Sequence, residues 1–275
     1  MDHDTSPDDR IAGGAALIRE ADALLIGAGA GMGVDSGLPD FRGPEGFWRA
    51  YPMFRGKRFE EMSNPRWFDA DPALAWGFFG HRLQLYRQAS PHAGFACLRR
   101  WGEGKPGGCF VFTSNVDGQF QKAGFEDSHV LECHGSIHFL QCTRNCGLGI
   151  WPAEGVHVDV DEATIRASSK LPRCPGCGRV ARPNILMFGD WQWDQARTQR
   201  QFESYRAWLD VVREMRVAAI EIGAGTAIPT VREECEQLAP HLIRINPHES
   251  HVRHGGVGIP AGALDALLKI DALFS

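Results

Sequence analysis

The sequence predicts an α/β fold: a Rossmann-like, doubly wound parallel sheet with a small helical plus zinc-ribbon domain. Three observations lead there. Short apolar runs of strand length alternate with stretches of helical period. A glycine-rich turn, Gly27-Ala28-Gly29-Ala30-Gly31, directly follows the first such run. Two close cysteine pairs, Cys142/Cys146 and Cys174/Cys177, bracket one polar segment.

Composition narrows the function classes. The 275 residues are 43% hydrophobic and 23% charged, enough for one large core or a core with a small appended module. The net charge of -5 gives no support to nucleic-acid binding, which needs a basic face. No apolar run approaches the ~20 residues of a membrane span. Met1 to Arg10 is acidic and polar and lacks a signal-peptide apolar region. A cytoplasmic chain is expected, and its eight cysteines then read as thiols or metal ligands rather than disulfides.

Ile11, Ala15, Leu17, Ile18 and Ala21 fall at helical spacing and predict a first helix. It packs on Ala23-Leu24-Leu25-Ile26, whose continuous apolar character suits a strand buried on both faces. Glycines at 27, 29, 31 and 33 let the backbone turn and let a ligand approach without an obstructing Cβ. Pro39 forbids a regular helix from Leu38 to Gly43, so the turn carries Asp40, Phe41 and Arg42 toward that ligand. Gly43 to Arg55 reads either as a loop anchored by its aromatic rings or as a lid. Asn64 to Ala89 is helical in pattern, and His92 to Trp101 is a short helix.

Cys109 to Phe112 is the next buried strand, ending in the polar turn Thr113-Ser114-Asn115-Val116-Asp117-Gly118. Ligands of open α/β sheets bind at such carboxyl ends. Ala153 to Leu171 is polar and without period, and Pro183 to Phe188 is apolar and extended. Trp193 to Arg216 is helical, and Val217 to Ile222 is a strand closed by Gly223-Ala224-Gly225-Thr226. Val231 to Leu238 reads as a helix, Leu242 to Ile245 as a strand ending in Asn246-Pro247-His248-Glu249, and Ala261 to Ile270 as the last helix.

The cysteine pairs fit a tetrahedral four-thiolate zinc site fed by two turns. Such a zinc is structural, because four thiolates leave no position for water. It would staple a segment too polar to build its own core. The alternative is ordinary buried or free cysteines. His134 stands alone in Glu132-Cys133-His134-Gly135-Ser136 and is either a packed histidine or a base.

Taken together these motifs resemble the sirtuin family, as a divergent bacterial-type member. The resemblance rests on Gly27 to Arg42 (GAG, then PDFR), Asn115 and Asp117, His134-Gly135, the cysteine pairs, Arg182 to Asp190 (RPNILMFGD), Gly223 to Thr226, and Asn246. It covers roughly Ala12 to Leu268. It implies NAD as co-substrate, one structural zinc ion on Cys142, Cys146, Cys174 and Cys177, and an acyl-lysine protein or peptide as partner. The implied reaction is NAD-dependent protein-lysine deacylation, with nicotinamide and O-acyl-ADP-ribose released. His134 is then the general base, removing a proton from a ribose hydroxyl, and Asn115 the second catalytic residue. Gly29, Ala30, Gly31, Asp40, Phe41, Arg42, Ser114, Asn115, Asp117, Gly223, Ala224, Gly225 and Asn246 would bind NAD. Ile185, Leu186, Phe188 and Gly189 would line the acyl-lysine tunnel and pair with the substrate backbone.

The chain departs from the family pattern at several points. The first cysteine pair is separated by three residues rather than two. Ser114 replaces a glutamine, Gly33 a serine and Asp190 a glutamate, while Ala224 and Gly225 replace hydroxyl residues. Phe79-Gly80-His81-Arg82 stands where family members that remove succinyl or malonyl groups carry Tyr-x-x-Arg. Arg82 would then favour an acidic acyl group without the tyrosine hydroxyl; the alternative is a solvated Arg82 and a core Phe79. A single catalytic domain is expected, its Rossmann-like part at about 8–45, 90–135 and 183–275. The small part takes about 46–89 and 136–182. Ser114 and Gly33 keep ADP-ribosyl transfer or NAD glycohydrolysis open as rivals. A non-catalytic NAD-binding module is the other rival, against which His134, Asn115 and Asp117 argue. Neither nucleic acid nor membrane is expected as a partner.

Overall fold

The computed structural model describes residues 6–40, 43–238, 241–252 and 255–274. Ser6 opens the first helix, α1 (Pro7–Glu20), with a capping box: its hydroxyl accepts from the Asp9 N–H and the Asp9 carboxylate accepts from the Ser6 N–H. Then follow β1 (Ala23–Ala28), a 3-10 turn at Ala30–Ser36, α2 (Gly43–Ala50), α3 (Phe59–Met62), α4 (Trp67–Ala70), α5 (Pro72–Gln88) and α6 (Ala93–Glu103). The middle of the chain gives β2 (Cys109–Thr113), α7 (Gln119–Lys122), β3 (Val130–Glu132), β4 (Gly135–Cys142), β5 (Ile150–Pro152), β6 (Val160–Asp161), β7 (Arg166–Ala167) and β8 (Ala181–Ile185). It ends with α8 (Ala196–Val211), β9 (Val217–Ile222), α9 (Thr230–Leu238), β10 (Leu242–Ile245), β11 (Val257–Ile259) and α10 (Ala263–Asp271).

Six strands form one parallel sheet in the order β3-β2-β1-β9-β10-β11. The chain builds outward from β1 on one side, then returns beside β1 and builds outward from β9 on the other. The order reverses between β1 and β9, and a crevice opens at their carboxyl ends there. Alternation along β1 assigns its side chains to two cores. Leu24 and Ile26 pack with Ile11 and Ile18 of α1, Phe95 and Leu98 of α6, and Leu267 and Ile270 of α10. Ala23 and Leu25 pack with Tyr205 and Trp208 of α8 and with Val231 and Cys235 of α9.

A third core lies off the sheet. Phe47, Tyr51, Phe54, Phe68, Trp76, Phe78 and Phe79 meet Ile137 and Leu140 of β4 there. The aromatics between Gly43 and Arg55 thus anchor their segment: Phe47, Tyr51 and Phe54 are all buried. The predicted helix Asn64 to Ala89 is broken in two, because Asp71 leaves the helical region and caps α5 by accepting from the Leu74 N–H.

The segment 153–171, polar and without period in the sequence, is structured. It makes the β6–β7 hairpin and sends Val158 and Ile165 into the third core. The hairpin lies so close to α5 that a Cβ on Gly77 would come 2.1 Å from the Ile165 carbonyl oxygen. Arg166 clamps it to the start of α5 through two 2.8 Å bonds to the Asp71 carboxylate. Val156, Val158 and Val160 alternate, but the apolar residues after them are unevenly spaced, so no sustained period marks the hairpin in the sequence. No helix among the described residues is long and apolar enough to cross a membrane.

Candidate active site

One cavity of about 1040 Å³ occupies the crevice and extends toward the third core. Its floor is made by two glycine loops that close against each other. The Gly31 N–H donates to the Gly223 carbonyl at 3.1 Å, and the Gly29 N–H to that of Ile222 at 2.9 Å. A Cβ on Gly29 would lie 2.6 Å from Ala224 Cα, and one on Gly31 2.7 Å from Gly223 Cα. A turning backbone and ligand approach are the reasons the sequence offers for these glycines. The structure adds another: backbone packs on backbone there. The residues that follow form a 3-10 turn rather than an open loop.

The carboxyl end of β2 supplies the polar wall. Thr113 Oγ1 donates to the Ala28 carbonyl at 2.9 Å and accepts from the Asn115 N–H at 3.0 Å. The Asn115 side-chain amide donates to the Gly29 carbonyl at 3.0 Å, tying this turn to the glycine loop. Asp117 is buried and accepts from the Gln119 N–H at 3.0 Å. Burial pushes its carboxyl up to about 6. Asn115, Asp117 and Ser114 all face the cavity.

His134 enters the same cavity from the turn between β3 and β4. Burial holds its pKa below the usual imidazole value, while a bond to the Ser114 backbone works the other way. Gly135 follows because only glycine fits: its φ is +78°, and a Cβ would sit 2.2 Å from the Asn184 carbonyl oxygen. The His134 carbonyl accepts from the Leu186 N–H at 2.9 Å. The histidine backbone is therefore fixed to the end of β8.

The opposite wall is the segment 185–191 that continues β8. Ile185, Leu186, Met187, Phe188 and Gly189 line the cavity. The Phe188 N–H donates to the Ser63 carbonyl, and Asn64 Nδ2 to the Phe188 carbonyl, each at 3.0 Å. Arg182 and Asp190 make an ion pair beneath the segment, with side chains 2% and 0% exposed. The Asp190 carboxylate also accepts from the Met187 and Gln192 N–H groups.

Arg82 reaches the cavity, and Phe79 is not among its lining residues; that ring is fully buried in the third core. Arg82 meets a hydroxyl all the same, that of Tyr86, one turn beyond Arg82 along α5. Arg82 Nη2 and Nε donate to Tyr86 Oη at 2.8 and 3.1 Å. Tyr86 also lines the cavity. Sequence reasoning passed over it, although the i, i+4 spacing from Arg82 was the available signal. Arg58, Phe59, Ser63 and the almost wholly exposed Trp191 are further lining residues without a sequence signal.

Gly29, Ala30, Gly31, Asp40, Gly223, Ala224 and Gly225 all line the cavity as well. Asn246 does not: it is fully buried, and its side chain braces the turn behind the wall. Its Nδ2 donates to the Ala224 carbonyl at 2.9 Å, and its Oδ1 accepts from the His248 and Glu249 N–H groups at 3.0 Å. Phe41 and Arg42 lie outside the described residues.

The four cysteines converge away from this cavity, at the far end of β4. Their Sγ atoms all lie within 4.8 Å of one another, and the pairs Cys142–Cys177 and Cys146–Cys174 are each 3.5 Å apart. A tetrahedral zinc with Zn–S bonds of about 2.3 Å needs sulfurs about 3.8 Å apart, so the set fits the ion. The extra residue in the first pair is absorbed by Asn145, which takes φ +44°. Asparagine tolerates that region better than other side chains.

Comparison with known proteins fits this arrangement. A model of the Sir2 family matches residues 29–211. A Pyrococcus furiosus protein named NAD-dependent protein deacylase is 34% identical over 63% of this chain, a match spanning 64% of that relative's own length. The NAD-dependent protein deacylase 1 of Caldanaerobacter subterraneus is 30% identical over 92% of this chain and 94% of its own. That of Archaeoglobus fulgidus is 30% identical over 85% and 84%. A solved complex of a Sir2 homologue with NAD superposes with a TM-score of 0.69 at 22% identity, over 94% of this chain and 91% of that one, a likeness of fold. Since the family model matches more than half of the chain, from the glycine turn through the cysteine cluster, and relatives at 30% identity extend over 85% and 92% of it, the chain belongs to the Sir2 family.

Proposed function

We propose that the protein is an NAD-dependent protein-lysine deacylase. The observation that carries this reading is one cavity shared by Asn115, Asp117 and His134 on one wall and by the Ile185–Gly189 segment on the other. The names of the relatives, NAD-dependent protein deacylases, support it. Cys142, Cys146, Cys174 and Cys177 would hold a structural zinc remote from the reaction.

Bound NAD supplies a ribose carbon open to attack once nicotinamide leaves, and it receives the acyl group. The Gly29–Gly31 and Gly223–Gly225 loops seat the dinucleotide at the switch point of the sheet. Asp117 accepts from a carboxamide at the inner end. Asn115 spends its NH2 on Gly29 and keeps its side-chain oxygen for a ligand hydroxyl. His134 is held neutral by burial, so it takes a proton from a ribose hydroxyl at physiological pH. The substrate backbone adds as a strand along Leu186 to Gly189, and the acylated side chain points inward. Arg82 with the Tyr86 hydroxyl stands at the inner wall and favours an acyl group that ends in a carboxylate.

Mass spectrometry of the products from NAD and a panel of acyl-lysine peptides tests the reading. Nicotinamide with O-acyl-ADP-ribose is the expected outcome. Free ADP-ribose alone, or an ADP-ribosylated protein, would replace it with glycohydrolysis or ADP-ribosyl transfer. His134→Ala should abolish turnover while ADP-ribose still binds; loss of both would make the histidine structural.

A further inference from the structure

Glu221 lies in the interior of β9, in the central part of a parallel sheet, and is fully buried. A lone carboxylate there would be costly, so its surroundings explain its presence. Arg244 of β10 donates Nε and Nη2 to it at 2.9 and 2.6 Å. Arg232 of α9 brings its Nε within 3.7 Å of the same carboxylate. Both arginines are themselves buried, at 9% exposure for Arg232 and 3% for Arg244.

These arginines also donate to backbone carbonyls of the two loops at the far end of the cavity, while Arg244 Nη2 reaches the Glu236 carboxylate at 2.7 Å as well. Arg232 Nε and Nη2 donate to the Ala224 carbonyl at 3.3 and 3.2 Å, and Nη2 also reaches the Glu249 carbonyl at 2.7 Å. Arg244 Nη1 donates to the His251 carbonyl at 2.7 Å. With Asn246, three N–H groups converge on the single oxygen of Ala224.

The planar trans peptide turns this into a statement about the cavity. When the Ala224 C=O points back to Arg232 and Asn246, the Gly225 N–H must point the opposite way. Gly225 lines the cavity, and nothing lies within 4 Å of the place a Cβ would take there. A glycine on one side of a peptide lets that peptide rotate at little cost. Ala224 and Gly225 bring no side-chain hydroxyl, so the backbone N–H is the donor this stretch can offer.

We infer that Arg232, balanced by Glu221, is a positioning residue for dinucleotide binding: it locks the Ala224–Gly225 peptide with the Gly225 N–H presented to the ligand. The inference rests on the reading of this cavity as an NAD site. Arg232 works on the ligand only through the loop, so its loss weakens ground state and transition state alike.

Titration of the full chain with ADP-ribose by calorimetry, beside NAD kinetics and thermal melting, tests this. Arg232→Met should raise both the ADP-ribose Kd and the NAD KM about tenfold, the size of one good hydrogen bond, with kcat at saturating NAD unchanged. Arg232→Lys, which keeps the cation without the two-pronged hold, should fall between. In wild-type protein the Gly225 amide resonance should shift and gain exchange protection on ADP-ribose binding, a readout that needs no variant to fold. A folded Arg232→Met that binds ADP-ribose as wild type does, or a Gly225 amide indifferent to ADP-ribose, would overturn the positioning role. Failure of wild type to bind ADP-ribose at all would instead overturn the NAD reading on which it rests.

Discussion

Asp190→Asn is the sharpest test of how the substrate wall is held. The carboxylate is fully buried and takes four hydrogen bonds: two from Arg182 Nη1 and Nη2, and one each from the Met187 and Gln192 N–H groups. All four partners are donors. An asparagine keeps the shape but turns one acceptor into an NH2 group facing donors, and leaves the Arg182 charge uncompensated in the interior. Removing one partner of a buried pair costs about 3–5 kcal/mol. One surviving acceptor puts this case at the lower end, about 3 kcal/mol. At about 2–4 °C per kcal/mol for a chain of this size, the melting temperature should fall by about 6–12 °C. The loss is local to the 185–191 wall, so the KM for an acyl-peptide should rise more than the KM for NAD. Differential scanning fluorimetry and initial rates against both substrates measure the two effects. A melting temperature within about 2 °C of wild type, together with an unchanged peptide KM, would refute the argument that this pair sets the wall.

Three further outcomes follow from the site. Cys174→Ser should release zinc and lower the melting temperature, and elemental analysis of wild type should give one zinc per chain; a chain purified without zinc that melts normally would rule the ion out. Burial raises Asp117 to about 6, above the unfolded carboxyl value of about 3.9. The folded state therefore binds the extra proton between those values, and ionised Asp117 costs stability above about pH 6. Asp117→Asn should thus melt higher than wild type at pH 8 yet use NAD poorly, whereas wild-type NAD use should decline as pH falls through about 6; a variant melting lower at pH 8 would contradict the burial argument. Arg82→Met should suppress desuccinylation and spare deacetylation, and Tyr86→Phe should do the same to a lesser degree. An unchanged ratio of succinyl to acetyl turnover in Arg82→Met would show that this arginine does not read the acyl group.

Local chemistry made much of the molecule legible before any folding was considered. Near-continuous apolar runs of only four to six residues suit strands buried on both faces, so β1, β2, β9 and β10 could be read within a residue or two. Two close cysteine pairs restrict their own geometry enough to announce a tetrahedral site, and the Pro39 break showed that no long helix follows the glycine turn. What stayed hidden depends on contacts between residues far apart in the chain. The 153–171 hairpin owes its place to Val158 and Ile165, which join a core built by residues far away in the chain, and the segment's own apolar residues carry no sustained period. Phe79 and Tyr86 lie on one helix and both touch Arg82, and only the rotation of α5 against the third core decides which of them reaches the cavity. The resemblance puts Asn246 among the NAD-binding residues, because a motif gives order along the chain without depth. The tertiary fold turned it inward to hold the Ala224 carbonyl. Glu221 and Arg232 gave no signal at all, since a buried charge is explained only by the partners that folding brings to it.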